Sequence, residues 1–206
     1  NSTALDQDFR SRNNTGETIA RATLRHRLGP PLTLEGGLEG AYHFLDDISS
    51  YSENGVAIPL PSANARVEEK RGEAFAQGTW KFDPDWLLEA GARFEYSKIS
   101  ETGDSEQSRS FFYPKPRAVL TWSFDSQTQF RLRYERVVGQ LDFGNFIATS
   151  SLGGNGVQGG NPDLKPDQHT QYEFSWERHF WDKGALVISY MHDQVKDVVD
   201  NVPVTS

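Results

Sequence analysis

Apolar and polar residues alternate along most of this chain with a period of two, in about eight separate runs. The clearest run places Leu32, Leu34, Gly36, Leu38, Gly40, Tyr42 and Phe44 on one face. Thr33, Glu35, Gly37, Glu39, Ala41 and His43 fall on the other. Two is the side-chain period of a strand. The run before it sets Ala20, Ala22, Leu24, His26 and Leu28 against Arg21, Thr23, Arg25 and Arg27, with Gly29-Pro30-Pro31 as a turn signal between the two. Further runs cover 73–82, 86–96, 117–124, 129–135, 172–177 and 186–193, and a ninth, weaker strand is expected over 4–12. In the clear runs the apolar set is even-numbered and the charged set is odd-numbered.

The connections sort by length. Short turns near 29–31, 83–85, 125–127 and 182–184 alternate with long polar connections at about 45–66, 99–109 and 139–167. Strands that cross a membrane need brief turns on one side and elaborate loops on the other, and a soluble sandwich has no reason for such parity. Length agrees, because Trp86 to Tyr96 spans roughly 33 Å of strand, enough to cross a tilted apolar band of about 25 Å. Aromatic residues sort by depth. Trp80, Phe82, Trp86, Trp122, Phe124, Phe130, Phe180 and Trp181 lie beside the short turns. Tyr42, Phe44, Phe94, Tyr96, Phe112, Tyr134 and Tyr172 lie toward the long connections, with Leu and small residues between. Strand propensity alone enriches aromatics but does not layer them; two girdles around an aliphatic band do. The fold class predicted is therefore all-β: an antiparallel up-and-down meander of about eight or nine strands. Membrane barrels must close, and eight or nine strands in mid-pattern leave two open edges. Residues 1–206 are accordingly expected to be a partial outer-membrane β-barrel domain, one piece of a larger transmembrane barrel.

Composition narrows the functions. Of the 206 residues, 36% are hydrophobic and the mean hydropathy is −0.64. No run of apolar residues is long enough for a transmembrane helix, which leaves strands as the means of crossing. The net charge of −8 opposes nucleic acid as a partner. Cysteine is absent, so disulfides and thiolate metal sites are unavailable. The chain starts Asn1-Ser2-Thr3 and its single methionine is Met191, which suggests a processed product or an excised piece.

Catalytic chemistry is hard to find. Gly154-Asn155-Gly156-Val157-Gln158-Gly159 matches a dinucleotide-binding spacing, but Asn161-Pro162 and a strand follow where a helix is required. The five histidines show no metal-ligand spacing, carboxylates form no evident acid–base pair, and no nucleophile elbow surrounds a serine. Neither an enzyme, a resident metal nor a cofactor is expected. The candidate ligand contacts lie in the long connections, where aromatic anchors sit among adaptable polar groups. They are His43 with Asp46 and Asp47, then Tyr51, Tyr113, and the stretch Asp142, Phe143, Asn145 and Phe146. The ordinary alternatives are solvated loops and loop self-packing.

Asn161-Pro162-Asp163-Leu164-Lys165-Pro166-Asp167, followed by Gln171-Tyr172-Glu173-Phe174, resembles the barrel domain of TonB-dependent outer-membrane receptors. So do the turn Trp181-Asp182-Lys183-Gly184, Tyr190, Lys196-Asp197-Val198-Val199, and the earlier stretches 73–77 and 86–96. The likeness covers most of 66–200, with Asp167 where the family more often has Glu. It implies a barrel of about 22 strands, of which this chain supplies eight or nine, with the plug domain and remaining strands absent. It also implies location in the outer membrane of a Gram-negative bacterium and contact with its lipid. Such a receptor takes up a scarce solute, a small molecule or metal chelate such as a ferric siderophore, cobalamin, haem or a glycan, and is driven by the TonB complex through the plug. Two other readings stand beside it. One is a passive porin-like or structural barrel. The other is a soluble, lipocalin-like all-β binding module, which would need an apolar interior.

Overall fold

Eight long strands follow one another in a single antiparallel sheet. The structure is a computed structural model that describes residues 6–60, 63–140, 143, 149–151, 156–158, 163–181 and 183–198. In chain order the strands are β1 (Gln7–Arg27), β2 (Leu32–Glu53), β3 (Val56–Ile58), β4 (Asn64–Asp83), β5 (Trp86–Gly103), β6 (Gln107–Ser123), β7 (Thr128–Val138), β8 (Thr149–Ser151), β9 (Gly156–Gln158), β10 (Gln168–Phe180) and β11 (Gly184–Lys196). The sheet order is β1-β2-β4-β5-β6-β7-β10-β11, with β3 added beside β2 and β8-β9 forming a separate two-stranded ribbon. Sequence neighbours pair throughout, as in an up-and-down meander. Among the described residues, β1 and β11 each pair on one side only. No helix of the described residues is long and apolar enough to cross a membrane, and strands are not bound by that criterion.

Register explains why one face is continuous. Along the eight-strand path nearly every pair joins even to even or odd to odd, as in Leu38↔Ala74, Ala74↔Phe94 and Leu120↔Leu132. The exception is a bulge between Trp80 and Asp83 that precedes the Asp83–Asp85 turn. Parity therefore survives every turn, and the two faces keep separate chemistries. The buried apolar side chains, Ala65, Val67, Phe75, Ile99, Phe111, Tyr113, Val119 and Phe143, are all odd-numbered. Leu24, Leu34, Leu38, Leu132, Phe174 and Ile188 are even-numbered and exposed, Leu38 to 66%. A broad exposed apolar face is unfavourable against water and suited to lipid. The soluble reading fails here, because the buried face carries Glu69, Glu73 and Glu101 while the greasy face is outermost.

The aromatic layers are physical contacts as well as a sequence pattern. At the short-turn end Trp86 stacks on Trp122 with centroids 5.2 Å apart, Trp122 on Phe130 at 5.4 Å, and Phe82 on Trp86 at 6.2 Å. At the other end Phe94 stacks on Phe112 and Tyr134 meets Tyr172. This upper band crosses the paired rows obliquely. Tyr134 aligns through Ala118, Ala90 and Gly78 with Leu34, well below Tyr42 on β2. Tilted strands require such a slant if the rings are to keep one depth.

Two of the expected long loops are largely strand. β2 runs on to Glu53, turns through Asn54 and Gly55, and pairs back as β3. β5 and β6 stay paired out to Glu101↔Gln107, so the loop expected at 99–109 shrinks to a tip at 104–106. The weak strand expected near the start is the first half of β1, paired with β2 from Gln7↔Glu53 inward. Gly156-Val157-Gln158, within the glycine-rich stretch, is a strand paired with Thr149–Ser151.

Candidate functional site

The odd face is built in two tiers. Its lower tier is a ladder of opposite charges that runs across the sheet. Arg21 meets Glu39, and Arg71 lies 4.0 Å from Glu39 and 3.9 Å from Glu17. Glu73 accepts from Arg93 and from Lys115, both at 2.7 Å, and Lys115 reaches Glu95 at 2.7 Å. Arg133 then holds Glu135 at 2.9 Å and Glu173 at 2.7 Å, with Arg117 3.6 Å from Glu135. Several direct partners in this ladder are alike in sign, as in Glu39↔Glu73, Glu73↔Glu95 and Arg93↔Lys115, and diagonal neighbours supply the opposite charge. Mixed sign also suits a wet bore rather than a basic or acidic funnel.

The upper tier is apolar. Val67 and Ile99, at 0% and 1% exposure, pack with Ala65, Phe111, Tyr113 and Phe143, and Leu45 and Val138 flank them. Strand alternation places Val67, Ile99, Phe111 and Tyr113 there from β4, β5 and β6. Phe143 comes from the connection after β7 and is stacked on the His43 ring at 4.4 Å. Below this cluster, Ser97 donates to the Glu69 carboxylate at 2.6 Å. A concavity opens between the tiers, lined by Arg71, Glu73, Ser97, Phe111, Tyr113 and Lys115 among others.

The sequence-nominated residues divide as follows. His43, Tyr113 and Phe143 share this upper tier, His43 lying 3.2 Å from the Thr15 hydroxyl and Tyr113 stacking on Phe111 at 5.9 Å. Asp47 follows His43 by two strand repeats on the same face. Burial raises its carboxyl above the ordinary range, and its Oδ1 has no hydrogen-bond partner. Asp46 does not join them. It is even-numbered and faces outward, where Arg66 donates to it at 2.7 Å and also to Glu68 at 2.8 Å. The trio His43-Asp46-Asp47 is therefore split by the pleat. Tyr51 lies farther out on β2, and its hydroxyl donates to Glu53. Asp142, Asn145 and Phe146 lie outside the described residues. Sequence reasoning missed Val67, Ile99 and the Ser97–Glu69 pair, although continued odd-number alternation through 65–73 and 97–113 carries them. Among the described residues no group of three or more His, Asp or Glu side chains could hold a metal ion.

The comparisons with known proteins bear on this geometry. The family described as "TonB dependent receptor-like, beta-barrel" matches over residues 1–206. No curated protein matches the chain. Among solved structures it is similar to the copper transporter OprC at 15% identity and a TM-score of 0.73, covering 92% of this chain and 32% of that one. The ferric yersiniabactin uptake receptor FyuA from Yersinia pestis gives 13% identity and a TM-score of 0.64, over 96% and 31%. The alcaligin outer-membrane receptor FauA from Bordetella pertussis gives 14% and 0.54, over 97% and 32%. The chain thus spans about a third of the length of these structures, and at such identity the likeness is one of fold.

Proposed function

Given that the chain belongs to the TonB-dependent receptor-like β-barrel family, we propose that it forms part of the barrel wall of an outer-membrane receptor. In this reading residues 1–206 supply about a third of the wall, and a plug and further strands complete it. The receptor captures a metal chelate at the outer mouth and passes it inward with energy relayed by the TonB complex. One observation carries the reading: across the inner strands β2, β4, β5, β6, β7 and β10 a charged, sheltered face lies back to back with an exposed apolar face. The copper and siderophore receptors among the similar structures support a metal-containing cargo.

Capture falls to the upper tier. Aromatic rings preset on a rigid wall bind with little ordering cost, and Phe111 and Tyr113, which line the concavity and pack with the buried Phe143 stacked on His43, offer such rings. The charged ladder below would orient polar cargo without trapping it, since every cation named there already has a carboxylate.

The test is uptake by cells expressing the full receptor. A panel of radio-iron siderophores and copper complexes is offered with and without a proton-motive-force uncoupler. Uncoupler-sensitive uptake of one chelate, weakened about tenfold or more in binding affinity by Phe143→Ala, is the expected result. Uptake that ignores the uncoupler would instead mark a passive pore.

A further inference from the structure

The outward, even-numbered face has a polar row at the outer margin of its aromatic band. Across five strands this row reads Thr18, Tyr42, Lys70, Lys98 and Ser110, each the register partner of the next. One row inward stand Tyr96 and Phe112, exposed to 53% and 61%. Lys70 and Lys98 are direct cross-strand partners, and both are exposed. Like charges directly opposite one another destabilise an antiparallel pair. Among the described residues no carboxylate lies within ion-pair distance of either lysine. Glu68, next along this face of β4, is engaged by Arg66 at 2.8 Å and by the Tyr42 hydroxyl at 3.0 Å. The cations Arg93, Lys115 and Arg133 on the sheltered face are all paired, by contrast.

What sits beside the outward row decides what can neutralise it. On β5 and β6 the row lies one residue pair beyond Tyr96 and Phe112, rings that mark the edge of the apolar band, where a bilayer presents its headgroups. Two opposed ammonium groups, with cross-strand Cβ atoms about 5 Å apart, can converge on one phosphate. The Ser110 hydroxyl accepts from Tyr96 at 3.2 Å, which leaves its own proton to donate. We propose that Lys70, Lys98 and Ser110 bind the anionic phosphate headgroup of a lipid in the leaflet on the loop side. This site is separate from the bore and from any transported solute. It depends on the apolar band lying in a bilayer, not on which cargo is carried.

The experiment uses the full receptor in detergent, titrated with short-chain phosphatidic acid and followed by native mass spectrometry. Wild type is expected to retain phosphatidic acid and not diacylglycerol with the same tails. The double variant Lys70→Gln, Lys98→Gln should bind about 30-fold more weakly, whereas Lys70→Arg, Lys98→Arg should keep binding. Heat-dependent gel migration checks that each barrel is folded. If the double variant does not fold, Lys98→Gln alone carries the test with about fivefold weakening. Equal retention of phosphatidic acid by the folded glutamine variant overturns the proposal, as does equal retention of diacylglycerol by wild type. Inorganic phosphate that competes as tightly as phosphatidic acid would make this a free-anion site and overturn the lipid assignment.

Discussion

Gly37 illustrates how much one hydrogen atom in place of a side chain can decide. It is the register partner of Phe75, and a Cβ at Gly37 would come within 2.3 Å of the Ala22 carbonyl oxygen and 2.8 Å of the Phe75 ring. The ring therefore lies against the bare backbone, and the Arg93 guanidinium sits over it, 4.7 Å from its centroid. Gly37→Ala is expected to destabilise the barrel by about 1–3 kcal/mol, read from the urea midpoint of the full receptor in vesicles. His169 supplies a second residue-scale prediction. Its Nδ1 lies 2.8 Å from Asp193 and its Nε2 2.8 Å from Asp167, and those hydrogen bonds hold its pKa above the ordinary value. Gly139 donates to the Asp167 carbonyl at 2.8 Å, so the clasp joins both ends of the connection between β7 and β10. The stabilisation is complete below the unfolded histidine value of about 6.5 and is lost as pH rises through the raised folded value. Asp193, lowered by the same bond to His169, sets the acid limit, because its share is lost as pH falls through its depressed value. Amide exchange at Gly139, corrected for intrinsic rates, should therefore accelerate from pH 6 to pH 8.5 in wild type. It should not do so in His169→Gln, and identical profiles would dismiss the clasp. Parity in the sequence assigns most side chains to a face correctly. It also separates Asp46 from Asp47, which look like a cluster as sequence neighbours and which the pleat sends to opposite faces.

At the scale of elements, the sequence marks each crossing strand but loses β2, β4, β5 and β6 beyond the apolar band. The reason is physical. Within the bilayer one face must be apolar, which gives the period-two contrast. Above it both faces meet water, and β2 reads Asp46, Asp47, Ile48, Ser49, Ser50, Tyr51, Ser52 with little contrast left. The Asn54-Gly55 pair is a strong hairpin signal, and both residues have positive φ, 49° and 78°. It was legible, but lay within a segment whose composition suggested a loop. The upper tier is likewise strand-built, so its stability should be that of a core. Ile99→Ala is expected to cost about 2–4 kcal/mol and to loosen the seat of Phe143, measured as a lower thermal midpoint together with faster exchange at the outer ends of β4 and β5. A loss under 1 kcal/mol would mean that the cluster is not packed in solution.

For the whole molecule the decisive question is what the even face touches. Leu38 is 66% exposed, and on a soluble protein its replacement by lysine would shift stability by about 0.5 kcal/mol at most. Against hydrocarbon, Leu38→Lys should cost about 2–4 kcal/mol in vesicle unfolding, and a near-zero effect would remove lipid from that face. The paired register also sets where the receptor can be handled. β5 and β6 rise past the aromatic band as a continuous stalk and stop at Asp104, whose backbone and carboxylate both clasp Asn64. In the receptor proposed above, a fluorophore or short peptide grafted at Ser105 would thus ride on stiff scaffolding clear of the headgroups and report cell-surface display. The same graft at Ser110 would unzip the ladder that carries it.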